Sequence, residues 1–196
     1  MIVTDVFANQ SIGGIIFMKK AINPFDHAAD ICNAMKQGVL LTTKNGDFVN
    51  TMTIGWGHIG VLWGKPIFIA YVRESRHTKT MIENHGEYTV NIPTGPIERS
   101  ILGFCGTKSG RDTDKIKELG LTLVESDNVT VPGIKELPLT LECKVIYTQK
   151  QDLSAIPADL IKRYYPAYTD SNVGFAEGDG HYVYVAEIVG AYIIEE

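Results

Sequence analysis

Cysteine is scarce in this chain, and the three that occur, Cys32, Cys105 and Cys143, lie far apart. They form no C-x-x-C pair and no tight cluster with histidine, which excludes a disulfide-built scaffold and a structural zinc site. An odd, unpatterned count suits a reducing cytoplasm. Basic residues are in deficit, 18 against 23 acidic ones in 196 residues, a formal charge of −5 that argues against a general nucleic-acid or anionic-membrane surface. No apolar run approaches the roughly 18 residues of a membrane-spanning helix. The short run Ile12–Phe17 has no basic residue before it and no small-residue cleavage site after it, so it does not read as a signal peptide. Met18-Lys-Lys-Ala reads as a start, which makes residues 1–17 a candidate extension and 18–196 one domain undivided by linker or repeat. There is no Gly-x-x-x-x-Gly-Lys-Ser/Thr loop, no Ser-His-Asp or paired-carboxylate spacing and no metal-ligand cluster. Catalytic residues stay unassigned, and any chemistry belongs to a cofactor.

What is present is mostly short apolar strands. A helix from Asn23 to Gly38 precedes Val39–Thr43 and Phe48–Ile54, two strands joined across Asn45-Gly46, the strongest hairpin signal in the chain. Strands follow at Ile67–Val72, Tyr88–Ile92, Leu139–Tyr147 and Tyr182–Ile194, with helices at Lys79–His85, Pro96–Phe104, Thr113–Leu119 and Ala155–Tyr165. Thr80 and Glu83 have the spacing of a capping box. The pattern predicts a mainly β, antiparallel, barrel-like domain with short peripheral helices.

Two segments carry the functional signal. Gly55-Trp-Gly-His-Ile-Gly60 matches the dinucleotide fingerprint literally, with Glu74 nineteen residues after Gly55. That fingerprint must open a helix, and Val-Leu-Trp-Gly64-Lys-Pro66 cannot continue as one. Arg73-Glu-Ser-Arg-His-Thr-Lys-Thr80 is more informative: it gathers cations and hydroxyls just before a helix, where free N–H groups and the helix dipole favour a phosphate. On an acidic chain such a local exception points to a small anion. The bland readings are a strand exit at Asn50–Thr53, core or interface packing for Trp56 and Trp63, a solvated helix face for Lys115 and a structural thiol for Cys105. His77 is a candidate phosphate-side donor; His58, His85 and His181 read as structural or surface residues.

Taken in order, Asn50-Thr-Met-Thr-Ile-Gly-Trp56, Pro66 to Arg76-His-Thr78, Val90-Asn-Ile92 and Cys105-Gly-Thr-Lys-Ser-Gly-Arg-Asp-Thr-Asp-Lys115 resemble the flavin reductase-like family, in an arrangement similar to the flavoredoxins. The resemblance implies an FMN-binding split β-barrel, usually a homodimer with the flavin near the subunit interface. It implies that Asn50, Thr51, Met52 and Thr53 meet the flavin ring, that Arg73, Ser75, Arg76 and Thr78 hold its phosphate, and that Ser109 and Lys115 approach from the following segment. The implied activity is an oxidoreductase that moves electrons between NADH or NADPH, or a redox protein partner, and flavin or another acceptor. An electron carrier and a flavin-binding module without turnover stand beside it. Strand ends offering N–H and C=O groups beside Met52 suit a flavin's polar edge, and either Lys115 or donors from residues 50–53 suit the negative charge that reduction places there.

Overall fold

The computed structural model describes residues 8–12, 15–165 and 179–195. Its strands are β1 (Ala8–Ile12), β2 (Ile15–Ala21), β3 (Val39–Asn45), β4 (Phe48–Ile54), β5 (Gly57–Leu62), β6 (Lys65–Arg73), β7 (Glu87–Ile92), β8 (Leu123–Val124), β9 (Gly133–Ile134), β10 (Leu139–Lys150) and β11 (His181–Glu195). The helices are α1 (Ala28–Met35), α2 (His77–His85), α3 (Arg99–Thr107), α4 (Lys115–Leu119) and α5 (Ala158–Tyr164). Nine strands form one antiparallel sheet in the order β4-β3-β7-β10-β11, and β8 pairs with β9 apart from it. At β11 the sheet forks. Its first half, His181–Glu187, pairs with β6 and through it β5, whereas Tyr192–Glu195 pairs with Met18–Ala21 of β2, which carries β1. A fifteen-residue strand with two different partners along one edge is what splits the barrel, and register shifts at Glu142/Cys143 and Val145/Tyr147 bend β10 to follow it.

Burial follows from this layering. Val39, Leu41, Met52, Ile54, Phe68, Val72, Tyr88, Val90, Leu141 and Tyr184 fill the barrel, while Leu40, Leu102, Cys105, Ile134 and Leu137 form a second apolar layer under α3 and α4. Because β3 is covered on both faces, Val39 to Thr43 are all buried and the alternation of a half-exposed strand is lost.

The turns explain where the elements depart from expectation. The β3–β4 loop is Gly46-Asp47, closed by Asn45 opposite Phe48, with Gly46 at φ 58°. Strand β5 runs through the Gly-x-Gly-x-x-Gly segment, where glycines weaken a strand signal, and turns into β6 through Trp63 (φ 53°) and Gly64 (φ 72°), a two-residue left-handed hairpin turn. Helix α2 begins two residues earlier than its periodicity suggests, so Thr80 and Glu83 lie inside it and form no capping box; Glu83 instead pairs with Lys79 at 3.0 Å. Helix α3 starts later than expected, at Arg99, and α4 is capped by Asp114, whose side chain accepts from the Lys117 amide.

The fingerprint glycines have a packing explanation. A Cβ on Gly57 would lie 2.8 Å from Phe68 Cζ and 2.9 Å from the Ile69 carbonyl, whereas one on Gly60 would meet nothing within 4 Å. Gly57→Ala is therefore expected to lower stability by about 1–3 kcal/mol in urea denaturation, and Gly60→Ala to change it by less than about 0.5 kcal/mol. A nucleotide-binding loop would require both.

A candidate anion and ring site at the start of α2

The hairpin register puts backbone hydrogen-bonding groups along one edge of the site. A two-residue hairpin closes on a hydrogen-bonded pair, here Asn45 and Phe48, so the bonded pairs that follow are Thr43–Asn50, Leu41–Met52 and Val39–Ile54. The N–H and C=O groups of Val49, Thr51 and Thr53 consequently point away from β3, along an edge that no other described strand covers. The loop after α3 runs past this edge: a Cβ on Gly106 would be 3.5 Å from Thr53 Cβ, and one on Gly110 would overlap Asn50 Oδ1. Only glycine fits at 110.

Between this loop and the N-terminus of α2 lies a cavity of about 440 Å³, lined by residues 75–78 and 106–112 with Met52 and Lys115. Asn50 sits behind Gly110, 2% exposed, donating through Nδ2 to Thr78 Oγ1 at 2.9 Å while its own Oδ1 has no hydrogen-bond partner among the described residues. Thr78 is equally buried, and since its oxygen accepts from Asn50 its hydroxyl proton is left to donate elsewhere. An orphaned buried acceptor beside a donor hydroxyl is costly unless something polar fills the space.

Four cations, Arg76, Lys108, Arg111 and Lys115, line the cavity with one carboxylate, Asp112. Arg76, the N-cap residue of α2, is lowered in pKa by burial and then by neighbouring Arg73, with Asp179 acting the other way. Lys115 is buried with its Nζ donating to the carbonyls of Cys105 at 3.4 Å and Lys108 at 3.2 Å, which leaves a third N–H. Burial pulls its ammonium down to about 8, with Arg76 adding to the fall and Cys105 opposing it. Burial, then Arg111 and Lys115, lower His77 as well. The Cys105 thiol is pushed up to about 11 by burial, with Lys115 opposing, which makes it a poor nucleophile.

The residues singled out from the sequence divide into two groups. Met52, Arg76, Thr78, Ser109 and Lys115 line the cavity, with Asn50 behind Gly110, and His77 joins them. Ser75 lines it too, but its N–H and Oγ both donate to the Asp179 carboxylate, at 2.9 and 2.8 Å. Arg73 is turned toward β11 and α5, donating to the carbonyls of Asp179 at 2.9 Å and Tyr164 at 2.8 Å and lying over the Tyr165 ring. Thr51 binds Leu41 O and accepts from Thr42, and Thr53 donates to Leu102 O at 2.7 Å, so the threonines of β4 present backbone rather than hydroxyl to the free edge. Thr53 also lines a second, larger cavity of about 1110 Å³ beside α1 and the 93–103 segment.

Sequence reasoning passed over Lys108, Gly110 and Arg111, although all lie in the quoted Cys105 to Lys115 motif. Arg111 reaches across the cavity rim to Ser75 O at 3.1 Å, and Ser109 Oγ accepts from the Arg111 amide. Asp179 had no local signal. His181, read as structural or surface, is buried against Trp56, with ring centroids 4.7 Å apart. The Tyr165 hydroxyl donates to Gln151 Oε1, which leaves His181 Nδ1 as the donor to Tyr165 at 3.0 Å. Burial, then Arg73 and Arg76, hold that ring neutral with a pKa of about 4.

Comparison with known proteins places this geometry in context. Residues 33–196 match the flavin reductase like domain. An uncharacterised protein of Archaeoglobus fulgidus is 36% identical over 97 residues, half of this chain and 54% of that relative's length. The flavoredoxin of Methanosarcina acetivorans superposes with a TM-score of 0.57 at 26% identity, covering 81% of this chain and 68% of that one. The flavoredoxin of Desulfovibrio vulgaris (Miyazaki F) gives a TM-score of 0.57 at 21% identity over 80% of this chain and 68% of its own, a likeness of fold.

The buried ammonium makes a pH prediction. A lysine whose folded pKa is about 8 binds fewer protons than its unfolded counterpart at 10.5, so unfolding takes up a proton between those values. Its charged form costs stability below pH 8, and that cost is relieved as pH rises from 8 toward 10.5. Denaturation of the wild type against Lys115→Met over this range should show the difference in stability shifting in favour of the wild type as pH rises. A pH-independent difference would place the ammonium in water.

Proposed function

From a chain that belongs to the flavin reductase like domain family, we propose an FMN-binding oxidoreductase with its cofactor in the cavity at the start of α2. The observation that carries this reading is the junction of two unlike surfaces: buried Lys115 and half-buried Arg76, with Lys108, Arg111 and the single carboxylate Asp112 exposed at the rim, open onto the free backbone edge of β4. The cations suit a phosphate, and the edge suits a flat ring with a polar margin. Two features fit the phosphate of FMN: the hydroxyl of Thr78, whose proton is left to donate, and the first-turn amides of α2. Bound FMN would supply hydride and one-electron chemistry at its ring. The protein's part is then positional and electrostatic. Arg76, Thr78 and Ser109 hold the phosphate, the Thr51 and Thr53 backbone groups meet the ring's polar margin beside Met52, and Lys115 faces the charge that reduction creates. NADH or NADPH is the proposed donor, with flavin or another small acceptor receiving the electrons in a reducing cytoplasm. The likeness to flavoredoxins keeps a second reading in view, a carrier with resident FMN that exchanges electrons with a protein partner.

The proposed functional unit is residues 18–196, acting as a homodimer. The edge of β5, unpaired by any other described strand, and the exposed side chains of Val61 and Trp63 favour association. Light scattering at micromolar concentration should give twice the 21.6 kDa chain mass. A monomer would remove the second subunit from the account of the site.

If the phosphate is held as described, Arg76→Ala removes charge-assisted bonds of about 1.5–3 kcal/mol and weakens FMN about tenfold or more, with riboflavin little affected. Equal losses for both would indicate damage to the fold. Anaerobic mixing of the FMN-loaded protein with NADH or NADPH should bleach the flavin absorbance. Cys105→Ser should keep most of that rate, since a buried thiol of raised pKa does not take part. Reduction by dithionite alone would favour the carrier.

A further inference from the structure

The turn that leads into α2 is tied to the start of β11 by four hydrogen bonds. Arg73 Nη1 donates to the Asp179 carbonyl at 2.9 Å, the Glu74 amide to the Gly180 carbonyl at 2.9 Å, and the Ser75 amide and hydroxyl to the two carboxylate oxygens of Asp179. An amide and a hydroxyl from one residue make a small oxyanion receptor, and here the oxyanion is the protein's own carboxylate, only 6% exposed. Ser75 is thus saturated. The residue that follows it, Arg76, caps α2 with extended backbone (φ −71°, ψ 134°) and no side-chain cap, and lines the cavity. Arg73 and Arg76 repel each other across this turn, and the Asp179 carboxylate acts on Arg76 in the opposite sense.

We propose that Asp179 is a positioning residue for the phosphomonoester site. By holding Ser75 with both oxygens it fixes the turn and keeps Arg76 toward the cavity, so that the ligand's phosphate meets Arg76, Thr78 and Ser109 while Ser75 stays with the carboxylate. This rests on the proposed FMN site and narrows it: two of the hydroxyl and cation groups in the Arg73–Thr80 run, Ser75 and Arg73, build the site from behind rather than touching the ligand. The opposite possibility on the same geometry is that Asp179 competes with the phosphate for Ser75, and the two differ in sign.

The test is to titrate the full chain, freed of flavin, with FMN and with riboflavin, following flavin fluorescence, for the wild type, Asp179→Asn, Ser75→Ala and the double variant. Asp179→Asn is expected to weaken FMN about tenfold and riboflavin by less than about twofold. Ser75→Ala should move the FMN-to-riboflavin ratio the same way by a smaller factor, and the double variant should be no worse than Asp179→Asn, since both act along one path. Tighter FMN binding in Asp179→Asn, additive losses in the double variant, or equal losses for both flavins would each overturn the assignment. Should Asp179→Asn not fold, an unchanged ratio in Ser75→Ala overturns it alone. A wild type that binds neither flavin removes the cofactor reading itself, whereas a wild-type preference for FMN that survives both substitutions removes only the role of Asp179.

Discussion

Like charges brought together around one half-buried space set the character of this molecule. Arg76, Lys115, Lys108 and Arg111 outnumber Asp112 around a single cavity of an acidic protein, and both Arg76 and Lys115 are disfavoured in their charged form, first by burial and then by a cationic neighbour. The cluster persists because the backbone supplies partial compensation: carbonyls of Cys105 and Lys108 hold the Lys115 ammonium, and Asp179 offsets Arg76. An anion in the cavity would complete that compensation, which is why the arrangement reads as a receptor rather than a structural network.

The fork in the sheet is what makes the cluster possible. Because β11 pairs first with β6 and later with β2, the end of β6 is pinned beside the start of β11, and the turn into α2 emerges at a fixed place. The β3–β4 hairpin meanwhile ends the sheet at β4, leaving the backbone of Thr51 and Thr53 unpaired by any described strand and facing the 106–110 loop. The two halves of the site come from opposite ends of the same sheet, brought together by α2 and the α3–α4 connection.

Much of this was legible in the chain, and the failures have physical causes. The hairpin at Asn45-Gly46 and the basic run before α2 are local signals, set by the positive φ of Gly46 and by charge density within a few residues. Strand β5 was hidden because its glycines serve packing against Phe68 and a left-handed turn, which lowers its strand signal. Asp179 lies 104 residues from Ser75, and no periodicity reports such a pairing. For the same reason the run Arg73–Thr80 looked like one uniform phosphate loop: the sequence places its side chains in a row, whereas the fold sends Arg73 and Ser75 toward Asp179 and Arg76 and Thr78 into the cavity.

The central claim is that this cavity is a cation cluster awaiting a phosphate, and proton uptake tests it most directly. With Lys115 at about 8, an arriving dianion should raise its pKa and draw in a proton near pH 8, where the phosphate itself is already ionised. Calorimetric titration with FMN in two buffers of different ionisation enthalpy measures that proton. The account predicts uptake of a substantial fraction of one proton per FMN at pH 8, falling away by about pH 6, and none with riboflavin or in Lys115→Met. Binding of FMN without proton uptake, or the same uptake with riboflavin, would contradict it.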